Sequence, residues 1–377
     1  MKKFILLDHE PWTIRRKQLF YDLFEKAKIK LYVWDLSQWL NPGLSNPDEL
    51  KNIEYLTRVL TENQFVSLLE NEDSKNVIFV EEVFRSWDNR RVFRHISDLG
   101  FDTIKIELYG NSVLKQRFMH RVKFLNINNL PKTICGKLAG IKIRAYNKIR
   151  GIKGPIRIFS SNGWLYRTDA INHPDYENYK FNSHENIIGG DYIVFCDIFF
   201  PFHSDLKHFY KIKRLPDGKK YQETMRRYFD YLEEKYGMPV VIAAHPKSDY
   251  SGGEFGNRSI IKYKTDDLVF NARMVTLHVC NSISYALLSN KPIAFVATED
   301  YIKLGHVKKT LDLLAHETLG LSYYILGKVD LNEVEFKKVN EDLRIKYINN
   351  YLTSTESSGI QNYKILRKEL MELSNEA

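Results

Sequence analysis

Two short polar stretches carry most of the chemistry legible in this chain. AAHPKSDY, 243–250, follows the apolar residues Val240 to Ile242, and HVCNSIS, 278–284, follows MVTL. An apolar run that stops abruptly in polar, turn-forming residues is how a buried parallel strand reads where its C-terminal end opens onto a ligand crevice. His245 leaves such a strand end, Pro246 fixes the backbone, and Lys247 adds a cation. A histidine held this way can donate to a phosphate or carboxylate, or protonate a departing phosphate. In the second stretch Asn281 or Ser282 can cap a helix. The first-turn amides, with the hydroxyls of Ser282 and Ser284, then make an anion site; a plain cap with no ligand is the other reading. His245, Thr265 and this cap all fall at the carboxyl ends of neighbouring strands or in the loops after them. His-Pro also occurs at 173–174, where the surroundings read as linker.

A group-transfer reaction that inverts a carbon centre needs a carboxylate or histidine base facing that centre. The candidates at strand ends are Asp8 or Glu10, Glu81 or Glu82, and Asp197, with His203 and Asp205 close behind the last as possible cleft contacts. Asp197 is the first choice for the base and Glu10 the second. No DxD triplet of the metal-binding kind occurs, and the adjacent Asp266 and Asp267 read as a helix start. Metal-independent chemistry is therefore expected, with Lys247, Arg258 and helix amides balancing leaving-group charge.

The elements that must position these groups alternate. Strands are expected at 3–7, 29–35, 76–82, 102–108 and 156–164, with helices at 13–27, near 48–70, at 89–98 and over 130–151. After a polar, turn-rich stretch at 168–191 the rhythm resumes, with strands at 191–197, 239–244, 260–263, 274–279 and 292–297. Helices are expected at 217–236, from 265, from about 282, near 299–318 and 332–352, and over 359–373. Strand–helix alternation argues for parallel sheets with right-handed crossovers. The fold class is α/β, with two Rossmann-like domains, 1–185 and 186–355, facing a central cleft, the GT-B architecture. A last segment, 356–377, is expected to cross back onto the first domain. DHEPW stands where GxGxxG would follow the first strand, so no nicotinamide or flavin cofactor is indicated.

At 377 residues the length suits two domains of roughly 150 residues or more. The three cysteines, Cys135, Cys196 and Cys280, lack a CxxC pair, so neither a disulfide framework nor a cysteine zinc site is expected. MKKFILLDHEP is too short in apolar residues for a signal peptide, and no run reaches the roughly 18 residues of a membrane span. A cytoplasmic location is expected. The net charge of +9 is concentrated: between Glu107 and Asp169 there are thirteen Lys or Arg and no acidic residue. Within that block, Ile134, Leu138, Ile141, Ala145 and Ile149 form an apolar helical stripe with basic residues around it. Such a helix can lie at an anionic membrane surface or pack on a core like any surface helix.

AAHPKSDY, then Arg258, YKTDDLVFNA and HVCNSISYALLSNKPIAF, together resemble the donor-binding half of bacterial surface-polysaccharide glycosyltransferases of GT-B type. They are similar in particular to the sialyltransferase and Kdo-transferase-like groups that use CMP-activated sugars. In those groups an HP motif and a later serine-rich motif bracket the cytidine monophosphate. The resemblance implies that His245 and Pro246 match the first and Ser282 and Ser284 the second. Asn281 and Ser282 depart from the more usual Ser-Thr or Ser-Ser pair. Covering roughly a quarter of the chain, the match implies a nucleotide-sugar co-substrate and no other cofactor. The implied acceptor is a glycan or lipid-linked molecule, and the 108–168 segment can bring the enzyme to the inner membrane surface. A CDP-glycerol-type phosphotransferase or a sugar-nucleotide epimerase would use the same fold. A non-enzymatic nucleic-acid binder is the third reading; no nucleic-acid module accompanies the basic block, so no nucleic-acid partner is expected.

Overall fold

A computed structural model describes residues 2–46, 48–112, 114, 130–163, 168–203, 206, 212 and 214–375. Two separate parallel sheets form the frame. The first contains β1 (Lys3–Asp8), β2 (Leu31–Asp35), β3 (Leu56–Arg58), β4 (Val77–Glu82), β5 (Asp102–Glu107), β6 (Arg157–Ser160) and β7 (Asp169–Ala170), in the order β3-β2-β1-β4-β5-β6-β7. The second contains β8 (Ile193–Cys196), β9 (Val240–Ala244), β10 (Ile260–Lys262), β11 (Met274–Leu277), β12 (Ile293–Thr298) and β13 (Tyr323–Leu326), in the order β10-β9-β8-β11-β12-β13. Every strand pair in both sheets is parallel.

Burial on both faces explains the apolar strand sequences. In β1, Phe4 and Leu6 point into one core with the helix α1 (14–26), while Ile5 and Leu7 point into the other with α2 (Glu62–Glu70) and α3 (Arg90–Asp98). A strand covered on both sides has no polar face to alternate with. α1 starts where Thr13 accepts a hydrogen bond from the Arg16 amide, and a π-turn over Lys17–Tyr21 interrupts its regular winding. In the second domain α6 (Gly218–Tyr236) is bounded by an Asp217 side-chain cap and by Gly237 in the left-handed region at φ 63°, the conformation that glycine adopts without a Cβ penalty.

The other helices include α4 (Leu130–Ile149), α5 (Pro174–Phe181), α7 (Thr265–Asn271), α8 (Ile283–Leu288), α9 (Glu341–Tyr351) and α10 (Asn362–Asn375), with further helical segments between them, among them Gly305–Leu311 running on into a π-helix over Asp312–Thr318. α10 returns to the first sheet. Leu366, Leu370 and Leu373 enter its core beside Phe20 and Phe24, and burying three leucines contributes about 6 kcal/mol. Expectation and structure differ at the sheet edges: β3, β7 and β13 lie where the sequence reading has helix or no element. The helix placed near 48–70 occupies only Glu62–Glu70, and the one placed at 332–352 starts at Glu341.

In each sheet the strand order reverses direction once, between β1 and β4 in the first and between β8 and β11 in the second. Loops after such neighbours diverge to opposite faces and leave a crevice at the carboxyl ends. The two crevices face each other. The domains also meet directly: Asn111 Nδ2 donates to Ser284 Oγ at 2.8 Å, and Lys262 Nζ lies 3.3 Å from Asp48 Oδ2. Among the described residues no helix is long and apolar enough to cross a membrane.

Candidate active site

The facing crevices merge into one cleft of about 1210 Å³. This exceeds the roughly 300–1,000 Å³ of a site for one small ligand. From the second domain come Asp197 and His203 after β8, His245, Pro246 and Lys247 after β9, Thr265, and Asn281 and Ser282 after β11; Glu10 after β1 comes from the first.

His245 is the best-oriented of these. The Lys247 amide donates to its Nδ1 at 3.1 Å, which leaves Nε2 as the N–H-bearing atom. Burial, with the nearby His203 and Lys247, holds its pKa well below the ordinary histidine value, so the ring is a neutral hydrogen-bond donor. The His203 ring stands edge-on to it at 4.7 Å. Asp197 sits beneath this loop: its Oδ2 accepts the His245 amide at 3.3 Å and the Tyr250 hydroxyl at 2.9 Å. Burial raises the Asp197 carboxyl to about 6, opposed by those hydrogen bonds. A buried carboxylate so engaged shapes the loop that carries His245.

Glu10 faces this group across the cleft, its Oε1 3.9 Å from Lys247 Nζ. Burial pushes its carboxyl up, but Lys247, Arg16 and the two histidines His9 and His203 outweigh burial and hold it below the ordinary glutamate value. Behind it, Arg16 bridges the paired strand ends, Nε to Asp8 Oδ2 at 2.6 Å and Nη2 to Glu82 Oε2 at 3.2 Å. Burial raises both carboxyls, Glu82 to about 7. Glu81 points to the opposite side of β4, where Arg85 Nε holds it at 2.8 Å. Of the acidic candidates for the base among the described residues, Glu10 and Asp197 line the cleft.

Three expectations meet a different placement. Arg258 is outside the cleft, with its guanidinium on Glu233 at 2.6 Å and Asp230 at 2.6 Å, both from α6, and its side chain only 8% exposed. Ser284 is fully buried and its hydroxyl accepts from Asn111, so it joins the domains instead of facing a ligand. Ser282 precedes a helix of only six residues and caps it with no side-chain hydrogen bond, so the expected helix-end anion cradle shrinks to the Asn281–Ser282 loop itself. His278 is a satisfied core residue: Nδ1–H donates to Val296 O at 2.6 Å and Nε2 accepts from the Tyr221 hydroxyl at 2.9 Å. Asp205 lies outside the described residues. Asp266 and Asp267 do begin α7, and with His184 they place one ligand atom each within 4.8 Å of one another. There, however, Asp267 already accepts from the Glu185 amide and Lys264.

The cleft also holds residues that the sequence reading passes over. Asp175, in the His-Pro-Asp of the expected linker, lines the cleft with Arg15 and Tyr285. Burial raises its carboxyl to about 7 against Arg15 and hydrogen bonds from Tyr285 and Ser284. Arg15 donates to the Tyr109 hydroxyl at 3.1 Å. The repeated His-Pro dipeptide is the available signal, since Pro174 and Asp175 of one copy and His245 and Pro246 of the other line the same cavity.

No family model matches the sequence, and no curated protein is similar to it. Solved structures share its fold. The calicheamicin glycosyltransferase CalG4 is 8% identical over the whole of both chains, with a TM-score of 0.53. A variant of the wall teichoic acid polymerase TagF soaked with CDPG is 12% identical across 99% of this chain and 90% of that one, with a TM-score of 0.51. A UDP-GlcNAc 2-epimerase from Methanocaldococcus jannaschii is 14% identical across 98% of this chain and all of that one, at a TM-score of 0.46. The first two define the class of fold: the chain has the GT-B architecture, two Rossmann-like domains facing a cleft.

Proposed function

We propose that the chain is a nucleotide-sugar-dependent glycosyltransferase of bacterial surface-glycan synthesis. Its donor is a CMP-activated sugar of nonulosonic-acid or Kdo-like kind, and its acceptor is a glycan or a lipid-linked molecule. The observation that carries this reading is the meeting of His245, Lys247 and Glu10 in one cleft. The GT-B fold shared with CalG4, a glycosyltransferase, supports it.

In the proposed transfer the donor phosphate rests against the His245 Nε2–H, Lys247 and the Asn281–Ser282 loop. Glu10, ionised and on the opposite wall, takes the proton of the acceptor hydroxyl. The acceptor oxygen bonds to the anomeric carbon from the side opposite the phosphate, the carbon–oxygen bond to the phosphate breaks, and the phosphate oxygen keeps the electron pair. Lys247 and the His245 N–H stabilise that charge, so inversion without a metal ion is expected. Asp197 is nearer in pKa to an efficient base, but its buried carboxylate already holds the His245 loop. Glu10 therefore becomes the preferred base and Asp197 a positioning residue.

Release of nucleotide from a panel of CMP, CDP, UDP and GDP sugars tests the reading. His245→Ala is expected to lower turnover on the order of a hundredfold, the loss typical of removing one preorganised donor at developing charge. Unchanged turnover in that variant overturns the role given to His245. The fold shared with TagF supports a second reading, phosphotransfer from a cytidine diphosphate donor. The mass of the product separates the two, because phosphotransfer leaves phosphate on the acceptor.

A further inference from the structure

α4 turns its apolar stripe away from the protein. Leu138 is 56% exposed, Ile141 53% and Ile149 82%, and with the exposed Ala145 they follow one another at the three- and four-residue steps of a single helix face. The helix leans on the first domain through its other side, where Ile143, Tyr146 and Asn147 are partly covered and the Tyr146 ring meets Trp87 edge-on at 5.6 Å. At 100° per residue, Lys142 borders the stripe on one side, and Arg144 and Lys148 border it on the other. Lys142 Nζ lies 3.6 Å from the centre of the Trp87 ring, and the Arg90 guanidinium lies 4.3 Å from it. No acidic residue stands between Glu107 and Asp169 to oppose these cations.

A stripe about 16 Å long, apolar along its centre and basic on both borders, has the chemistry of one partner. Apolar side chains reach the acyl boundary of a bilayer, basic stems lie along the surface with their charges on headgroup phosphates, and a tryptophan sits at the same depth. We propose that α4 lies in the plane of an anionic lipid surface and docks the first domain on it. The docking does not depend on what the cleft catalyses. It has a consequence for the proposed transfer: the loop 83–89 carries Trp87 beside the docking face and Phe84 on the cleft wall. The cleft would therefore open close to the headgroups, where a lipid-linked acceptor lies.

Co-sedimentation of the full chain with phosphatidylcholine vesicles, with and without a third of phosphatidylglycerol, tests this at low and high salt. Retention on the anionic vesicles is expected to exceed that on phosphatidylcholine on the order of tenfold and to fall with salt. Ile141→Glu with Ile149→Glu, and separately Lys142→Glu with Arg144→Glu and Lys148→Glu, should each reduce it by a similar factor. Both variants should keep the wild-type circular dichroism and the nucleotide-induced rise in melting temperature, so loss of docking stays distinct from failure of the cleft reading. No retention on anionic vesicles, or retention indifferent to the two isoleucines, overturns the proposal. So does light scattering that shows a dimer dissolved by the isoleucine pair, or tighter binding to duplex DNA than to the vesicles at the same salt.

Discussion

Replacing Asp175 by asparagine should stabilise the protein, and only above mildly acidic pH. The carboxyl is buried in the wall of the cleft, and burial raises it from 3.8 to about 7 although Arg15, Tyr285 and Ser284 all favour the ionised form. Between those two values the folded chain holds a proton that the unfolded chain has released. Stability therefore falls as pH rises through that window, and above about 7 the full penalty applies. Three pKa units correspond to about 4 kcal/mol. Asparagine keeps an acceptor for Tyr285 and Ser284 and has nothing to ionise. The melting temperatures of wild type and Asp175→Asn should coincide near pH 4 and separate steadily, the variant melting higher at pH 8. Urea titrations at pH 5 and pH 8 give the same comparison as free energies. A variant less stable at pH 8, or a difference independent of pH, refutes the reasoning, because either result means that the ionised carboxylate is at home there. A charge retained at such expense in a cleft is the pattern of a group kept for function.

Arg258→Ala should cost about 2 kcal/mol in urea unfolding, since it removes the shared cation of Asp230 and Glu233, and both carboxylates stay partly solvated. The rise in melting temperature on adding nucleotide should survive, because Arg258 is outside the cleft; loss of that rise with stability intact places it back in the donor site. Leu370→Ala should cost about 3 kcal/mol, the order for deleting a fully buried leucine side chain. A change within experimental error there means that α10 adds little to the first core.

The site is partly legible in the sequence because strand ends announce themselves. PVVIAA before His245 and MVTL before the Asn281–Ser282 loop are apolar throughout, as strands with two covered faces must be. Three of the four edge strands give no such sign. β3 is LTR, β7 is DA and β13 is YYIL, and each is short, partly exposed and held in place by pairing to a neighbour. Their existence is decided by the sheet. Partnership across the chain is equally hidden. Ser284 looks like a free hydroxyl at a helix start until Asn111, 173 positions away, is found bonded to it. Arg258 looks like a phosphate ligand until α6 folds over it. His173-Pro174 and His245-Pro246 are the same dipeptide, read once as linker and once as site, and both border the cleft. What separates them is the residue packed against each, which a local reading does not contain.

Lys247 occupies a position that can couple the two halves of the proposed reaction. In the structure its ammonium group lies 3.9 Å from Glu10, and together with Arg16, His9 and His203 it outweighs burial to keep Glu10 below its ordinary pKa. A carboxylate so stabilised is a poor base. In the proposed reaction a donor phosphate beside His245 would compete for the same ammonium group, and whatever share of Lys247 it takes would be withdrawn from Glu10. Burial then counts for more, and the Glu10 pKa climbs toward the range in which a carboxylate accepts a proton readily. The same movement puts the cation where the leaving-group charge will develop. On that reading each group would be better suited to its task beside the donor than without it. A base activated only beside a bound donor gives water little opportunity to be the acceptor, which a transferase requires and a hydrolase does not.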